Sequence, residues 1–211
     1  WVLTLGKDFS ANMRKALAMM VGCEVYANDL PAGYSVATSL FPSAINSDTT
    51  PTGMTVYDPA NAKKLYLQEI EHFENKKFPS DIILYYYDDG NIKNIVTDIV
   101  GHWQSNISAF MNIESVSSSA LLTPQLTDPS YKMSVFPIRA DSTNLAEYLK
   151  IFGITYNGEP LTEIQTQLLK SNNIIPIMFQ NTTLAYSPAL SSVYTELGNG
   201  YVDFAYIVKE E

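Results

Sequence analysis

The 211-residue sequence predicts an α/β protein built on a mixed sheet with flanking helices. Short apolar patterns typical of strands alternate along the chain with helical patterns of period 3.6. One unit is especially regular: residues 81–87 predict a strand, 91–110 a helix and 111–116 a second strand. This order predicts a βαβ crossover, whose two strands are parallel. Strands near the ends of the chain need not follow the crossover rule, so we expect the sheet to be mixed.

The chain begins within a predicted strand, residues 1–5, so we expect segments that precede Trp1 to be missing. Ser10 is a candidate N-cap for a helix through Met20. The next stretch, residues 28–55, has no sustained period. A segment of that length predicts either a functional loop or one that lies over the core.

Asp58 followed by Pro59 predicts the start of a second helix, because Asp caps free amides and Pro needs no amide partner at the first position. The predicted buried stripe of this helix is Ala62, Leu65, Tyr66, Ile70 and Phe73. The crossover helix has a longer stripe, which includes Ile95, Ile99, Trp103 and Ile107. The remaining predicted elements are a short helix at 118–122, a strand at 131–138, helices at 143–152 and 159–170, and strands at 174–180 and 201–208.

Charge and composition exclude several kinds of partner. The net charge of −9 disfavours nucleic acid and anionic membrane surfaces, which attract positive charge. No apolar run approaches the ~20 residues that cross a bilayer. The single cysteine, Cys23, excludes an intramolecular disulfide and a zinc site built from cysteines. We therefore predict no transmembrane segment and no nucleic-acid partner.

The residues that could carry catalysis are few. His72 and His102 each lie in a predicted helix without a metal ligand at suitable spacing, and nothing marks Cys23 as a nucleophile. The stretch 88–91 resembles a cation loop but lacks the alternating acids and closing Glu, so we interpret it as a turn that caps the next helix. These observations predict no enzymatic activity, no metal and no cofactor. The 14 tyrosines fit either a ligand cleft or a half-buried sheet face.

Several stretches, taken in order, resemble the peptide-binding family of ABC-transporter extracellular solute-binding proteins, of the oligopeptide and dipeptide type. The segment 57–65 is similar to the family's Y-D-P-x-x-A-K-x-L signature. The other matching stretches are Met13-Arg14-Lys15-Ala16-Leu17, the Pro- and Gly-containing loop 30–42, the βαβ unit, Tyr131-Lys132-Met133, Ala140-Asp141 and Ile175-Pro176-Ile177. The resemblance spans residues 3–208.

The resemblance implies one lobe of a type II periplasmic-binding-protein-like fold, in which two α/β lobes enclose a ligand. Residues 1–180 would form the second, C-terminal lobe, and 181–211 a segment that returns toward a largely absent first lobe. The implied function is capture of short peptides or a similar small polar solute for the permease subunits of an ABC importer. The implied location is extracytoplasmic, as a periplasmic protein or a cell-surface lipoprotein.

The resemblance also implies candidate ligand-binding residues. An acid at the place of Asp141 pairs with the ligand's free amino group in peptide-binding relatives. The alternative role for Asp141 is the N-cap of the helix at 143–152. Arg139 could bind a ligand carboxylate, and Tyr131 or Phe136 could line the cleft, because all three lie near the ends of a strand.

The sequence departs from the family pattern in three places. Ile138-Arg139 stands where an aromatic residue usually precedes the Ala-Asp pair, Gly22-Cys23-Glu24 replaces an Asp-Arg pair, and the segment between 153 and 174 is short. The missing aromatic residue and the short segment favour an alternative function, a surface adhesion or scaffold module that keeps the fold without transport. A hydrolase of unfamiliar type is a second alternative, for which the sequence contains no recognisable nucleophile and base.

Overall fold

The computed structural model describes residues 1–42, 45, 53–127, 132–139 and 144–181, together with four two-residue strands beyond them. The helices and strands are β1 (Val2–Leu5), α1 (Ala11–Met19), α2 (Cys23–Tyr26), β2 (Tyr34–Val36), α3 (Pro59–Ile70), β3 (Ile83–Tyr87), α4 (Ile92–Ile107), β4 (Asn112–Val116), β5 (Met133–Phe136), α5 (Leu145–Lys150), α6 (Leu161–Lys170), β6 (Ile174–Pro176), β7 (Met178–Gln180), β8 (Leu190–Ser191), β9 (Tyr194–Thr195), β10 (Val202–Asp203) and β11 (Val208–Lys209). Short 3₁₀ turns lie at Ala27–Asp29, Glu74–Lys76, Ser119–Leu121 and Thr123–Leu126.

The main sheet has five strands in the order β4-β3-β5-β1-β6. Strand β3 is parallel to both β4 and β5, whereas β1 is antiparallel to its neighbours β5 and β6. The predicted mixed sheet is therefore confirmed.

The βαβ prediction is also confirmed. Ile83 pairs with Asn112 and Tyr87 with Val116, so β3 and β4 are parallel along their full length. The side chains of α4 that are buried against the core are Ile92, Ile95, Val96, Ile99, Val100, Trp103 and Ile107. The indole of Trp103 also donates to the carbonyl of Leu17 at 3.1 Å, which ties this helix to α1.

Two apolar clusters cover the two faces of the sheet, and β1 contributes to both. Val2 belongs to the cluster formed with α5 and α6, whereas Leu3 and Leu5 belong to the cluster formed with α1, α3 and α4. Successive side chains of a strand point to opposite faces. Helices thus pack on both faces, as expected for a sheet that contains parallel strands.

The predicted starts of α1 and α3 are confirmed. The Ser10 hydroxyl accepts from the amide of Met13 at 3.0 Å, and the Asp58 carboxylate accepts from the amide of Asn61 at 3.0 Å. In the α3 stripe, Ala62, Tyr66 and Ile70 are buried, and Leu65 and Phe73 are half-buried. Both helices therefore begin where side-chain chemistry satisfies their free amides.

Two parts of the sheet differ from the prediction. The stretch 28–55 contains β2, and the single strand predicted at 174–180 is two strands, because β6 pairs with β1 and β7 pairs with β2. The change of partner falls at Ile177, whose amide donates to Trp1 and whose carbonyl accepts from Ala37. The three residues of β2 are all half-buried, so they show no alternation of apolar and polar side chains that could predict a strand. They form a strand because they pair with β7.

Two further predicted elements, the short helix at 118–122 and the last strand, also differ from the structure. The predicted short helix at 118–122 is a 3₁₀ turn, Ser119–Leu121. Within the predicted strand at 201–208, only β10 and the start of β11 are described, and they pair with β9 and β8 in separate ladders. Among the described residues, no helix combines the length and the apolar character that crossing a membrane requires.

Candidate functional site

The carboxyl ends of three parallel strands lie at one edge of the sheet. Tyr87 ends β3, Val116 ends β4 and Phe136 ends β5, and the strand registers place them side by side. Strand β1 runs the other way, so Trp1, which precedes it, lies at the same edge beside the end of β5. Ligands of open α/β sheets bind outside the carboxyl ends of the strands, which makes this edge the candidate site.

A tight turn after β3 places two carboxylates at this edge. The Asp88 carboxylate accepts from the amide of Gly90 at 2.9 Å, and Gly90 has a φ of 90°, which suits glycine. One oxygen of Asp89 accepts from the amides of Asn91 and Ile92 at 3.0 and 3.2 Å. The interpretation of this stretch as a helix-capping turn is confirmed.

Tyr34 of β2 connects to the turn through the other oxygen of Asp89. Its hydroxyl donates to Asp89 Oδ2 at 2.8 Å. Burial, followed by the neighbouring Asp89 carboxylate, raises the pKa of Tyr34 to about 12, whereas the positive charge of Arg139 acts in the opposite direction. The phenol therefore stays protonated at neutral pH and acts as the donor.

The side chain of Trp1 packs against the end of β3 at this edge. Its ring stacks on Tyr87, with ring centroids 6.2 Å apart and ring planes 19° apart. The side chain is 8% exposed, and its Nε1 is buried without a hydrogen-bond partner among the described residues. We use the term polar edge for the set Trp1, Tyr34, Tyr87, Asp88, Asp89 and Arg139.

The structure brings one of the predicted ligand-binding residues to the polar edge. Arg139 is exposed three residues after β5 and acts electrostatically on Tyr34. Phe136 is fully buried in the cluster with α5 and α6, so it lies behind the edge. Tyr131 and Asp141 lie outside the described residues, and the ligand-binding roles of all four stay predictions.

The alternative role of Asp141 as a helix N-cap is wrong. Asn144 caps α5, since its side-chain oxygen accepts from the amides of Ala146 and Glu147 at 2.9 and 3.4 Å. The helix starts at Leu145, later than the predicted 143. The cap position is therefore filled by Asn144.

Sequence reasoning missed Tyr34 and Trp1 as members of this site. Asp89 was recognised only as a capping residue. The aperiodic stretch 28–55 was the available signal for Tyr34, because long irregular segments frequently carry binding residues. No pattern in the sequence indicates that Tyr34 and Asp89 are neighbours.

The two histidines are not at the polar edge. His102 on α4 contacts the hydroxyl of Tyr57, with 3.2 Å between Nε2 and the phenol oxygen, and burial lowers its pKa. His72 is exposed after the end of α3. Among the described residues, no three His, Cys, Asp or Glu side chains converge as a metal site.

The fold is similar to that of several solved structures. No protein-family model and no curated protein matches the sequence. Among solved structures, the pheromone receptor PrgZ, described by its mode of peptide binding, aligns with a TM-score of 0.67 and 12% identity over 100% of this chain and 48% of its own. NikA from Brucella suis, solved in complex with Fe(III)-EDTA, aligns with a TM-score of 0.63 and 13% identity over 99% of this chain and 50% of its own.

A third structure has nearly the same extent as this chain. It is described as a peptide-binding protein of a peptide ABC transporter, and aligns with a TM-score of 0.63 and 13% identity over 84% of this chain and 97% of its own. The chain spans about half the length of PrgZ and NikA. At these identities the comparisons establish the fold alone, which is a periplasmic-binding-protein-like α/β fold.

Proposed function

We propose that this chain is part of the solute-binding component of an ABC importer, and that it captures short peptides or a similar small polar solute. The observation that carries the proposal is the polar edge, which lies at the carboxyl ends of the parallel strands on a fold similar to peptide-binding proteins. Capture breaks no bond, so the chain needs no catalytic residues. The proposed location is outside the cytoplasm, in the periplasm or as a lipoprotein on the cell surface.

The charges around the polar edge favour a ligand that carries an amino group. Asp88 and Asp89 follow β3, and Asp141 lies two residues beyond Arg139 in the sequence. A carboxylate that meets a ligand ammonium away from water makes a strong charge-assisted hydrogen bond. Arg139 is suited to the carboxylate at the other end of a peptide, because its guanidinium can bind a carboxylate through two donors.

The proposed mechanism is closure of two lobes around the ligand. Residues 1–180 would be one lobe, and 181–211 would return toward the other. Ligand contacts made only in the closed form shift the open–closed equilibrium toward closure. Permease subunits of the importer would then recognise the closed form.

The experiment that tests the proposal uses a two-lobed protein that contains this sequence. Titration calorimetry with a tripeptide and its N-acetylated counterpart measures how much of the affinity depends on the free amino group. We expect Asp141→Ala to weaken binding of the free tripeptide by about 1.5–3 kcal/mol, or roughly 10–150-fold. Acetylation should then cause little further loss.

The exposed acid Asp8 supplies the matched control, since Asp8→Asn removes a similar charge from another turn. Equal affinity of the wild type and Asp141→Ala for the free tripeptide would contradict the role of Asp141. A two-lobed protein that binds neither peptides nor other small solutes would contradict the proposed function. That result would favour the adhesion or scaffold alternative.

A further inference from the structure

A cavity of about 240 Å³ lies beside β6, which is an edge strand of the five-stranded sheet. It is partly open to solvent and is lined by the segment after α1, by α2, by the end of β2, by residues 54–57 and by the end of α6. None of the residues of the polar edge lines it. At ~30 Å³ per water molecule it has room for about eight waters, which suits a molecule of side-chain size.

Most of the cavity wall is apolar. Met54, Leu169 and Ile174 contribute aliphatic side chains. A wall of this kind binds the hydrocarbon part of a small ligand, because contact removes apolar surface from water.

The polar part of the wall is a carboxylate beside an aromatic ring, and both lie over Gly22. A Cβ at position 22 would lie 2.5 Å from Cγ of Tyr57 and would also collide with Oε2 of Glu24. Only glycine allows these two side chains to approach the backbone at this point. The Glu24 carboxylate and the Tyr57 ring are therefore neighbours on the same wall of the cavity.

Hydrogen bonds hold the Tyr57 ring in place. His102 Nδ1 faces the side-chain nitrogen of Asn106 at 3.3 Å, and because that nitrogen can only donate, Nδ1 accepts. The proton of the neutral imidazole is then on Nε2, which donates to the Tyr57 hydroxyl at 3.2 Å. The next amide along the chain, that of Asp58, donates to the carbonyl of Met19. The ring is thus fixed from both ends before any ligand binds.

We propose that this cavity is a second binding site, which takes a small organic cation made of one ammonium group on an aromatic or aliphatic body. Glu24 provides the counter-charge, and the Tyr57 ring provides a surface that attracts cations. The apolar walls take the hydrocarbon body. The chain's net charge of −9 adds a long-range attraction for cations and opposes anions.

The test compares two ligands that differ mainly in charge. The 211-residue chain is titrated with phenethylammonium and with neutral 2-phenylethanol, and binding is followed by amide chemical shifts in NMR spectra. We expect the ammonium to bind at least about tenfold more tightly, with the largest shifts at residues 21–24 and 54–57. Equal affinity for the two ligands, or no binding of the ammonium, would overturn the proposal.

Variants then assign the charge recognition to Glu24. Glu24→Gln keeps the shape of an exposed side chain and should remove the preference for the ammonium, whereas the exposed Glu163→Gln on α6 should retain it. Tyr57→Leu tests the ring and should weaken the ammonium more than the alcohol. An undiminished preference in Glu24→Gln contradicts the assignment, and circular dichroism establishes that each variant is folded.

Discussion

At the scale of single residues, the contact between Tyr34 and Asp89 links β2 to the turn that starts α4. The phenol donates to a carboxylate oxygen that the capping interaction leaves available. Tyr34 lies on a strand of three residues, so this side-chain bond adds to a short backbone ladder. A hydrogen bond to a charged group such as this carboxylate contributes about 1.5–3 kcal/mol net.

We expect Tyr34→Phe to lower the free energy of unfolding by about that amount, because the ring is kept and only the donor is lost. Urea denaturation monitored by circular dichroism measures the change. Tyr156→Phe removes a hydroxyl elsewhere on the chain and is the control. A Tyr34→Phe variant as stable as the wild type would mean that water replaces the bond at no cost.

A pair of carboxyl groups makes the stability depend on pH. Burial, and then the carboxyl of Asp29, raise the pKa of Asp98 on α4 to about 6. A folded-state pKa above the unfolded value gives a stabilisation that is full below pH 3.8 and is lost as the pH rises through about 6. Oδ2 of Asp98 also has no hydrogen-bond partner among the described residues.

We therefore expect Asp98→Asn to raise Tm at pH 8 and to leave it nearly unchanged at pH 4. Allowing for solvent screening, a gain of ~1 kcal/mol corresponds to about 2–4 °C for a chain of this length. Thermal unfolding of both proteins from pH 4 to 8 measures the effect, with the exposed Asp8→Asn as control. Parallel Tm curves for wild type and Asp98→Asn would contradict the shifted pKa.

At the scale of elements, α4 is held by its apolar face. Ile99 is 1% exposed, and its neighbours on the stripe pack into the same cluster as Leu84 and Tyr86 of β3. The opposite face carries exposed residues such as Lys93. The helix therefore depends on burial of one face more than on intrinsic propensity.

Ile99→Ala should lower the free energy of unfolding by about 2–5 kcal/mol, because a buried aliphatic group is lost and a cavity is left. Lys93→Ala on the same helix should change it by less than about 0.5 kcal/mol. Urea denaturation of the two variants gives the comparison. Similar effects at the two positions would show that α4 is not anchored through its stripe.

At the scale of the whole molecule, a single lobe offers a ligand only part of its contacts. The chain spans about half the length of PrgZ and NikA, and on the proposed mechanism the ligand is enclosed between two lobes. Losing half of a micromolar interaction leaves a dissociation constant of about a millimolar or weaker.

We accordingly expect the 211-residue chain to fold cooperatively but to bind tripeptides only at millimolar concentrations or above. A two-lobed protein that contains it should bind them at least about 100-fold more tightly. Calorimetric titration of both proteins with the same peptide measures the ratio. Equal and tight binding by the two would show that one lobe is sufficient.

The sequence by itself determined the α/β class, the parallel βαβ unit and the capped starts of α1 and α3. These features rest on local signals: side-chain period, helix-capping chemistry and the length of a crossover connection. The resemblance carried by segment 57–65 and the other motifs also led to the right fold. Helix caps and buried helix stripes can be predicted from the sequence because the residues that form them are within about four positions of one another.

Only the tertiary structure decided which distant residues meet. Pairing between β2 and β7 turned an aperiodic stretch into a strand and brought Tyr34 to Asp89, 55 positions along the chain. The change of partner at Ile177 divided one predicted strand into two, and Asn144 took the cap considered for Asp141. The absence of a side chain at Gly22 let Glu24 and Tyr57 converge on one cavity wall. Such contacts depend on how the sheet and helices pack, so no local pattern encodes them.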